Sequence, residues 1–143
     1  MELLITVAII GVLVAISIPI FTSQLEKARE ATDEANLRAA YAEGTADLLT
    51  ETVGTSKITF TDGKATYYYN TTTGALDASG NACGKGTANV VESGTDAYAA
   101  FKGTATTGGM EYNGGDVSGK KIQVVLHEGT SSSEAFVYVH FAD

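Results

Sequence analysis

Residues 3–21 read LLITVAIIGVLVAISIPIF and contain no charged side chain. At about 1.5 Å of rise per residue, these nineteen residues form a helix of roughly 28 Å, close to the hydrocarbon thickness of a bilayer. A cleavable signal peptide has a basic start, a shorter apolar core and a small-residue cleavage site, and this stretch has none of them. We therefore expect it to belong to the mature chain and to be able to cross a membrane.

The remainder of the 143-residue chain is long enough for one domain, and it is polar and punctuated by glycine. The net charge of −8 disfavours general binding to nucleic acid, because phosphates repel an acidic surface. Cys83 is the single cysteine, so the chain cannot close an internal disulfide. We expect no special role for this thiol.

Helical periodicity continues beyond residue 21. Apolar residues recur every three or four positions and share one helix face: Leu25, Ala28, Ala31, Ala35, Ala39, Ala42, Ala46 and Leu49. The opposite face is charged: Glu26, Lys27, Glu30, Asp33, Glu34, Arg38 and Glu43. We predict one helix over residues 3–50, ending before the Thr/Gly cluster at residues 52–55.

Such a helix is about 70 Å long and exceeds what a domain of this size can bury. Residues 1–24 are therefore predicted to project as a hydrophobic stem, buried in lipid or against copies of itself. Residues 25–143 are predicted to form a globular head in which the amphipathic helix, residues 25–50, packs on a sheet.

The hydrophobic period changes after the helix. Residues 57–61 (KITFT) and 64–70 (KATYYYN) flank Asp62-Gly63, which predicts a hairpin. The side chains expected to cover the helix are Ile58, Phe60, Ala65, Tyr67 and Tyr69. Residues 121–127 (KIQVVLH) and 135–141 (AFVYVHF) predict a second hairpin. The fold class is therefore predicted as α+β, with a long N-terminal helix on an antiparallel sheet.

A long connection, residues 71–119, is rich in Gly, Thr, Ser and Ala. One short helix is predicted at residues 96–102, with Thr95 and Gly103 as its caps. The rest of the connection is either a surface loop or contains an unrecognised strand.

Few side chains suggest chemistry, and we predict no enzyme, metal or cofactor. His127 and His140 are the best candidates for a site, but a hairpin symmetric about Ser131 pairs His140 with Ile122 and His127 with Ala135, too far apart for a metal pair. Four segments carry weaker signals, two for calcium loops and two for glycosylation: Asp62-Gly63, Gly114-Gly115-Asp116, Asn70-Thr71-Thr72 and residues 131–133.

The first residues of the chain carry a motif. Its elements are Met1-Glu2-Leu3-Leu4, Gly11 and Pro19. Their order and spacing resemble the type IV pilin and pseudopilin family. In that family the mature chain begins with an aromatic residue, which is commonly followed by Thr-Leu. One variable residue and a glutamate come next, and the glutamate opens an apolar run. The three residues before the variable one are not represented, so we expect the amine that the family methylates not to be that of Met1.

The resemblance implies a pilin fold and assembly through the stem, with Glu2 meeting the N-terminal amine of an adjacent subunit. The implied assembly residues are Glu2, Leu3, Leu4, Gly11 and Pro19. The family's helix is often unwound between the glycine and the proline, which here implies unwinding of Val12, Leu13, Val14, Ala15, Ile16, Ser17 and Ile18.

Physical chemistry supports both roles and leaves alternatives. A lone carboxylate costs a few kcal/mol within hydrocarbon, so Glu2 needs a partner, unless it lies in the polar interface. Pro19 costs about 3 kcal/mol inside a helix and Gly11 up to about 1 kcal/mol relative to Ala. These two residues produce either unwinding on assembly or a simple kink.

The expected function is a structural subunit of a type IV pilus, a homo-oligomeric filament that supports adhesion, motility or DNA uptake. The subunit is expected in the cytoplasmic membrane, with the pilus assembly machinery, and then in a filament on the cell surface. One alternative is the major pseudopilin of a type II secretion system, which the missing cysteine pair permits. Another is a membrane-tethered binding module, although a tether needs no second apolar face continuous with the anchor.

Overall fold

The structure, a computed structural model, describes residues 1–87 and 100–143. The described chain contains one α-helix, α1 (Glu2–Thr50), and eight strands. The strands are β1 (Thr52–Val53), β2 (Ser56–Lys57), β3 (Lys64–Asn70), β4 (Ala75–Asp77), β5 (Lys102–Thr104), β6 (Gly108–Glu111), β7 (Lys121–His127) and β8 (Phe136–Ala142).

The helix has nearly the bounds that the sequence predicts. It continues through Gly11 and Pro19 and ends where Glu51 adopts a left-handed conformation with φ of 56°. The N–H of Glu51 donates to carbonyls of the last turn, those of Asp47 and Leu48. This left-handed residue turns the chain away from the helix axis and begins the small β1–β2 hairpin.

Six strands form the main sheet in the order β4-β3-β7-β8-β6-β5. The α+β layout is thus confirmed, but the prediction of an antiparallel sheet is wrong at one pair, because β6 runs parallel to β8. Strands β4, β5 and β6 all lie within residues 71–119, so of the two alternatives for this connection the one with strands is confirmed. Strand β7 is paired on one side with β3 and on the other with β8. Strand β6 therefore joins the sheet at the remaining free edge, that of β8.

The face of α1 that packs on the sheet is not its alanine face. The buried helix residues are Glu26, Glu30, Asp33, Leu37, Ala40 and Gly44, with Tyr41 and Leu48 partly buried against the core. The predicted apolar positions, from Leu25 to Leu49, are exposed. Alanine removes little area from water, whereas Leu37, Tyr41 and Leu48 bury large side chains at helical spacing. The larger residues therefore determine which face packs.

The first predicted hairpin forms only at its turn. Asp62 and Gly63 both have positive φ, and the backbones of Thr61 and Lys64 exchange two hydrogen bonds. Beyond that bridge β3 pairs with β4 and β7 instead, because β2 pairs with β1 and the chain then turns inward at Ile58. All five side chains expected on the helix-covering sheet face lie in the core or against it: Ile58, Phe60, Ala65, Tyr67 and Tyr69. Only the last three do so from a strand, because residues 58–60 belong to none.

The second hairpin, β7–β8, is confirmed, but its register is shifted by one residue. His140 pairs with Gln123, and His127 pairs with Phe136. The reason is the turn, which is closed by a Thr130↔Ser133 bridge and so is centred between Ser131 and Ser132.

The predicted short helix falls largely outside the described residues, which exclude 88–99. At its C-terminal end residues 100–101 form a 3₁₀ turn, but Lys102 and Gly103 belong to β5, so the predicted last residue and the Gly103 cap are wrong. Gly103 lies close to the backbone of Gly109 on β6, where a Cβ would come within 2.5 Å of a carbonyl carbon. The glycine therefore permits strand pairing here and does not cap a helix.

The first part of α1 leaves the head entirely. Residues 1–22 are exposed, and Glu26 is the first buried residue of the chain. By length and composition α1 is apolar enough to cross a membrane, and none of its apolar window is buried. We refer to residues 2–24 as the stem and to the rest of the described chain as the head.

Candidate functional site

The residues implied in assembly lie along one exposed helix and do not converge on a pocket. Glu2 opens α1, and Pro19 lies seventeen residues later, about 25 Å along the axis. Leu3 and Leu4 are exposed beside Glu2. The stem is therefore a surface on which these residues meet other molecules, not one another.

The segment between Gly11 and Pro19 is helical in the single chain. The hydroxyl of Ser17 donates to the carbonyl of Leu13 at 2.7 Å, and that of Thr6 donates to the carbonyl of Glu2 at 3.0 Å. A Cβ at Gly11 would meet no atom within 4 Å, so this glycine is not required by contacts within the chain. Unwinding of residues 12–18 on assembly stays a prediction.

A second exposed surface continues the stem along the head. Its members are small and recur at helical spacing: Ala28, Ala31, Ala35, Ala39, Ala42 and Ala46. Leu25 and Leu49 lie at its two ends, 42% and 81% exposed. We call these eight residues the alanine stripe. It lies on the side of α1 opposite the sheet, and its small side chains allow another helix to approach closely.

Buried carboxylates on the other side of α1 hold the helix to the head. Asp33 accepts the backbone N–H groups of Lys85 at 2.8 Å and Gly86 at 2.7 Å. Glu26 accepts from the backbone and hydroxyl of Thr87 and from Arg29. Burial raises the pKa of Asp33, and the two N–H groups oppose that shift. Residues 83–87, which we call the strap, are thus fastened to α1.

The helical periodicity puts these carboxylates on the charged face, opposite the apolar face expected to pack on the sheet, and that interpretation is wrong for three of them. Glu26, Glu30 and Asp33 are buried. The available signal was spacing, because 26, 30 and 33 continue the same 4-3-4 series as Leu37, Tyr41 and Leu48. Hydrogen bonds from the strap compensate the desolvation of acidic side chains at such positions.

The two histidines lie four residue pairs apart on the outer face of the sheet and do not form a site together. His127 stacks on Phe136 with 4.0 Å between ring centres, and His140 stacks on Tyr138 at 4.8 Å. Burial lowers the pKa of both imidazoles. Burial and a hydrogen bond to Glu111 raise the pKa of Tyr138. Within residues 1–87 and 100–143, no three His, Cys, Asp or Glu side chains are placed to hold a metal ion.

The segments with weaker signals serve local turns. Asp116 accepts the N–H of Ser118 at 3.0 Å. Asn70, the potential glycosylation acceptor, donates its side-chain N–H to Asp77 at 2.8 Å, and this bond, with the N–H groups of Gly80 and Ser79, lowers the pKa of Asp77 to about 2. A sugar on Asn70 would replace one of its two side-chain N–H hydrogens and leave the other to donate to Asp77.

The two remaining candidates for modification, Cys83 and residues 131–133, differ in their exposure to solvent. Cys83 is only 4% exposed, and burial raises the pKa of its thiol, which disfavours the reactive thiolate. Residues 131–133 are exposed at the tip of the β7–β8 turn and remain open to modification.

Comparison with models of known protein families gave no match, and comparisons with curated proteins and with solved structures gave none either.

Proposed function

We propose that this chain is the structural subunit of a filament of the type IV pilus class and that it polymerises through α1. The observation that carries the proposal is the apolar surface of that helix. It runs without a break from the stem to the end of the alanine stripe, on the side that the head leaves uncovered.

The length of this surface favours a filament over a simple membrane anchor. The stem covers about 35 Å at 1.5 Å per residue, which already matches a bilayer. The alanine stripe then lies beyond the hydrocarbon region, where lipid cannot cover it. A tether gains nothing from a second apolar surface, whereas copies of α1 packed side by side bury both surfaces.

In this proposal the stem anchors the subunit in the cytoplasmic membrane before the assembly machinery adds it to a filament at the cell surface. Lipid covers the stem in the membrane, so its transfer into a fibre adds little apolar burial. Packing between copies instead avoids exposing the stem to water outside the membrane, which costs about 1.5–3 kcal/mol for each Leu, Ile or Val side chain. Glu2 sets the axial register because its carboxylate needs a cationic partner, the N-terminal amine of the next subunit. Adhesion, motility or DNA uptake are the roles of such a filament.

The experiment is electron microscopy of cells that express the chain and, separately, Ala35→Glu or Glu2→Ala. Wild-type cells should carry fibres, while both variants should lose them and keep normal subunit levels in the membrane. The matched control is Ala105→Glu, which places the same charge on the exposed β5–β6 turn, away from α1.

Short fibres that appear only on overexpression would assign the chain to the pseudopilins. Absence of fibres from wild-type cells would leave a membrane-tethered module. Normal fibres from Ala35→Glu would contradict a role for the alanine stripe, and normal fibres from Glu2→Ala without any wild-type copies would remove Glu2 from assembly.

A further inference from the structure

A groove opens at the end of the head farthest from the stem. It lies between the end of α1, residues 57–60 and the β7–β8 turn, with a volume of about 620 Å³. Leu48, Ile58 and Phe60 supply apolar lining, and the carboxylates of Glu51 and Glu128 stand at its edge. Lys57 lies 4.0 Å from Glu51 and offsets part of that charge. We call this the tip groove.

The opposite end of the head, where the stem enters it, presents basic side chains. Lys27 and Lys85 are exposed and Arg29 is partly exposed. The neighbouring carboxylates of Glu26 and Asp33 face inward, where they accept hydrogen bonds from the strap. Because Arg29 is paired with Glu26, the outward positive charge at this level of α1 comes from Lys27 and Lys85. We call Lys27, Arg29 and Lys85 the basic collar, and the exposed Leu25 adjoins it.

The two ends of the head are separated by one stem length. Lys27 and Glu51 are 24 positions apart, about 36 Å of helix, and the stem itself is about 35 Å long. A second copy moved by that distance along α1, and sideways by a helix spacing of about 8–10 Å, would lay its stem beside the alanine stripe of the first. The same displacement would bring its basic collar to the axial level of the tip groove.

We propose that the tip groove of one copy receives the basic collar of a second copy displaced by about 36 Å along α1. This inference rests on the proposed filament and adds a contact between heads to the contact between stems. Lys27 of the incoming copy meets Glu51 and Glu128 at the edge of the groove. The contact joins two different surfaces of the chain, so it repeats from copy to copy and builds an open filament.

Cysteine cross-linking of the full-length chain tests the contact directly. Lys27→Cys and Glu128→Cys in one chain lie too far apart for an internal disulfide, which needs Cα atoms within about 7 Å. Mild oxidation of fibres should therefore give a ladder of covalent multimers. Each single variant should give none above the background of the buried Cys83, and neither should Lys27→Cys with Lys102→Cys, whose second site is on β5.

Charge reversal provides a second measurement. Lys27→Glu or Glu128→Lys should raise the fraction of unassembled subunit about five-fold, and the double reversal should return it towards the wild-type value. Glu134→Lys, an exposed change on the adjacent turn outside the groove lining, should have little effect. Higher salt should weaken the wild-type contact, since these charges are exposed.

The outcomes separate this inference from the proposed function. Fibres without a ladder, and indifferent to both reversals, would overturn the contact, leave the filament standing and assign the groove to a different ligand. A ladder in membranes of cells that show no fibres would support the contact and overturn the filament. A ladder from the Lys102 control would show that cross-linking is unspecific and would overturn the assignment.

Discussion

Oδ2 of Asp33 accepts the backbone N–H of Gly86 at 2.7 Å, although the two residues are 53 positions apart in the chain. A Cβ on residue 86 would come within 3.1 Å of that same oxygen, so the absence of a side chain allows the strap to lie this close to α1. The carboxylate is buried, and the strap supplies the donors that it would otherwise take from water. A polar contact between Asp33 and the strap thus joins α1 to the rest of the head, on the same side of the helix that packs on the sheet.

Replacing Asp33 with Ala should destabilise the head by about 2 kcal/mol, because the N–H groups of Lys85 and Gly86 lose their acceptor and each buried unsatisfied donor costs about 1–3 kcal/mol. The loss is partly offset, since a desolvated charge is removed as well. Chemical denaturation followed by circular dichroism measures the change. Glu34→Ala is the control, since its pair with Arg38 is partly exposed and contributes little. Equal stability of the two variants would show that the strap contacts are unimportant.

Removing residues 1–24 should leave a folded, monomeric head. The first buried residue is Glu26, and the core contacts of α1 begin at Leu37, so the truncation removes no core side chain. Size-exclusion chromatography and circular dichroism test this expectation. An insoluble or unfolded product would mean that the stem is needed for the head to fold.

The helix and the central strands follow directly from the sequence. An uncharged apolar run followed by a 3.6-residue period determines α1 almost to the residue, and β7 and β8 are alternating apolar segments. The short strands β4, β5 and β6 could not be predicted, because they contain few β-branched residues and form only where the sheet offers a free edge.

The orientation of α1 shows where periodicity fails. Two faces of the helix carry regular patterns, one of alanines and one of Leu37, Tyr41 and Leu48 interleaved with acids, and a count of apolar positions selects the alanines. The other face packs on the sheet because the N–H groups of the strap make burial of Asp33 and Glu26 favourable. The orientation of α1 thus depends on contacts with residues 50 or more positions away in the chain, and a local sequence pattern does not contain that information.

Gly44 should tolerate no side chain, because it lies where α1 crosses the sheet. A Cβ there would be 2.8 Å from Cγ1 of Val124 and 3.0 Å from Cγ1 of Val137. Overpacking costs about 1–3 kcal/mol, and the better helix propensity of alanine returns up to about 1 kcal/mol. Gly44→Ala should therefore lower the melting temperature of the head. Gly11→Ala, where no atom lies near, is the matched control and should leave it unchanged.

The stability of the head should depend on the protonation of His127. Burial lowers the pKa of this imidazole below its ordinary value of 6.5, and the charge of Lys64 on β3 lowers it further. The folded state therefore favours the neutral ring, stacked on Phe136 of β8. Its contribution is complete above the ordinary pKa and is lost as the pH falls from there through the lowered value.

Melting temperatures of the wild type and of His127→Phe between pH 7 and pH 5 provide the measurement. The wild type should lose more stability on acidification than the variant, which keeps the aromatic stack without a titrating group. Carboxylates such as Asp33, whose pKa burial raises, act in the opposite sense but are common to both proteins. If the melting temperatures of the wild type and His127→Phe fell by the same amount between pH 7 and pH 5, the role of His127 would be contradicted.

Assembly should convert residues 12–18 from helix to extended backbone. Gly11 and Pro19 bracket a segment rich in Val and Ile, which have reduced helix propensity, and Pro19 leaves the carbonyl of Ala15 without its helical donor. Unwinding seven residues from about 1.5 to about 3.3 Å each would lengthen the stem by roughly 13 Å.

That extension would let heads stack without separating the stems, but the freed amides need partners, since each unpaired group costs about 1–3 kcal/mol in an apolar fibre. Thr6 and Ser17 are within reach, and both hydroxyls would have to leave the carbonyls of Glu2 and Leu13 that they contact in the single chain. Replacing Gly11 and Pro19 together with Ala favours a continuous helix, so fibres should become fewer or shorter while membrane levels stay constant. A filament map with unbroken helical hydrogen bonding from residue 3 to residue 49 would refute the unwinding, whatever the fibre count of the double variant.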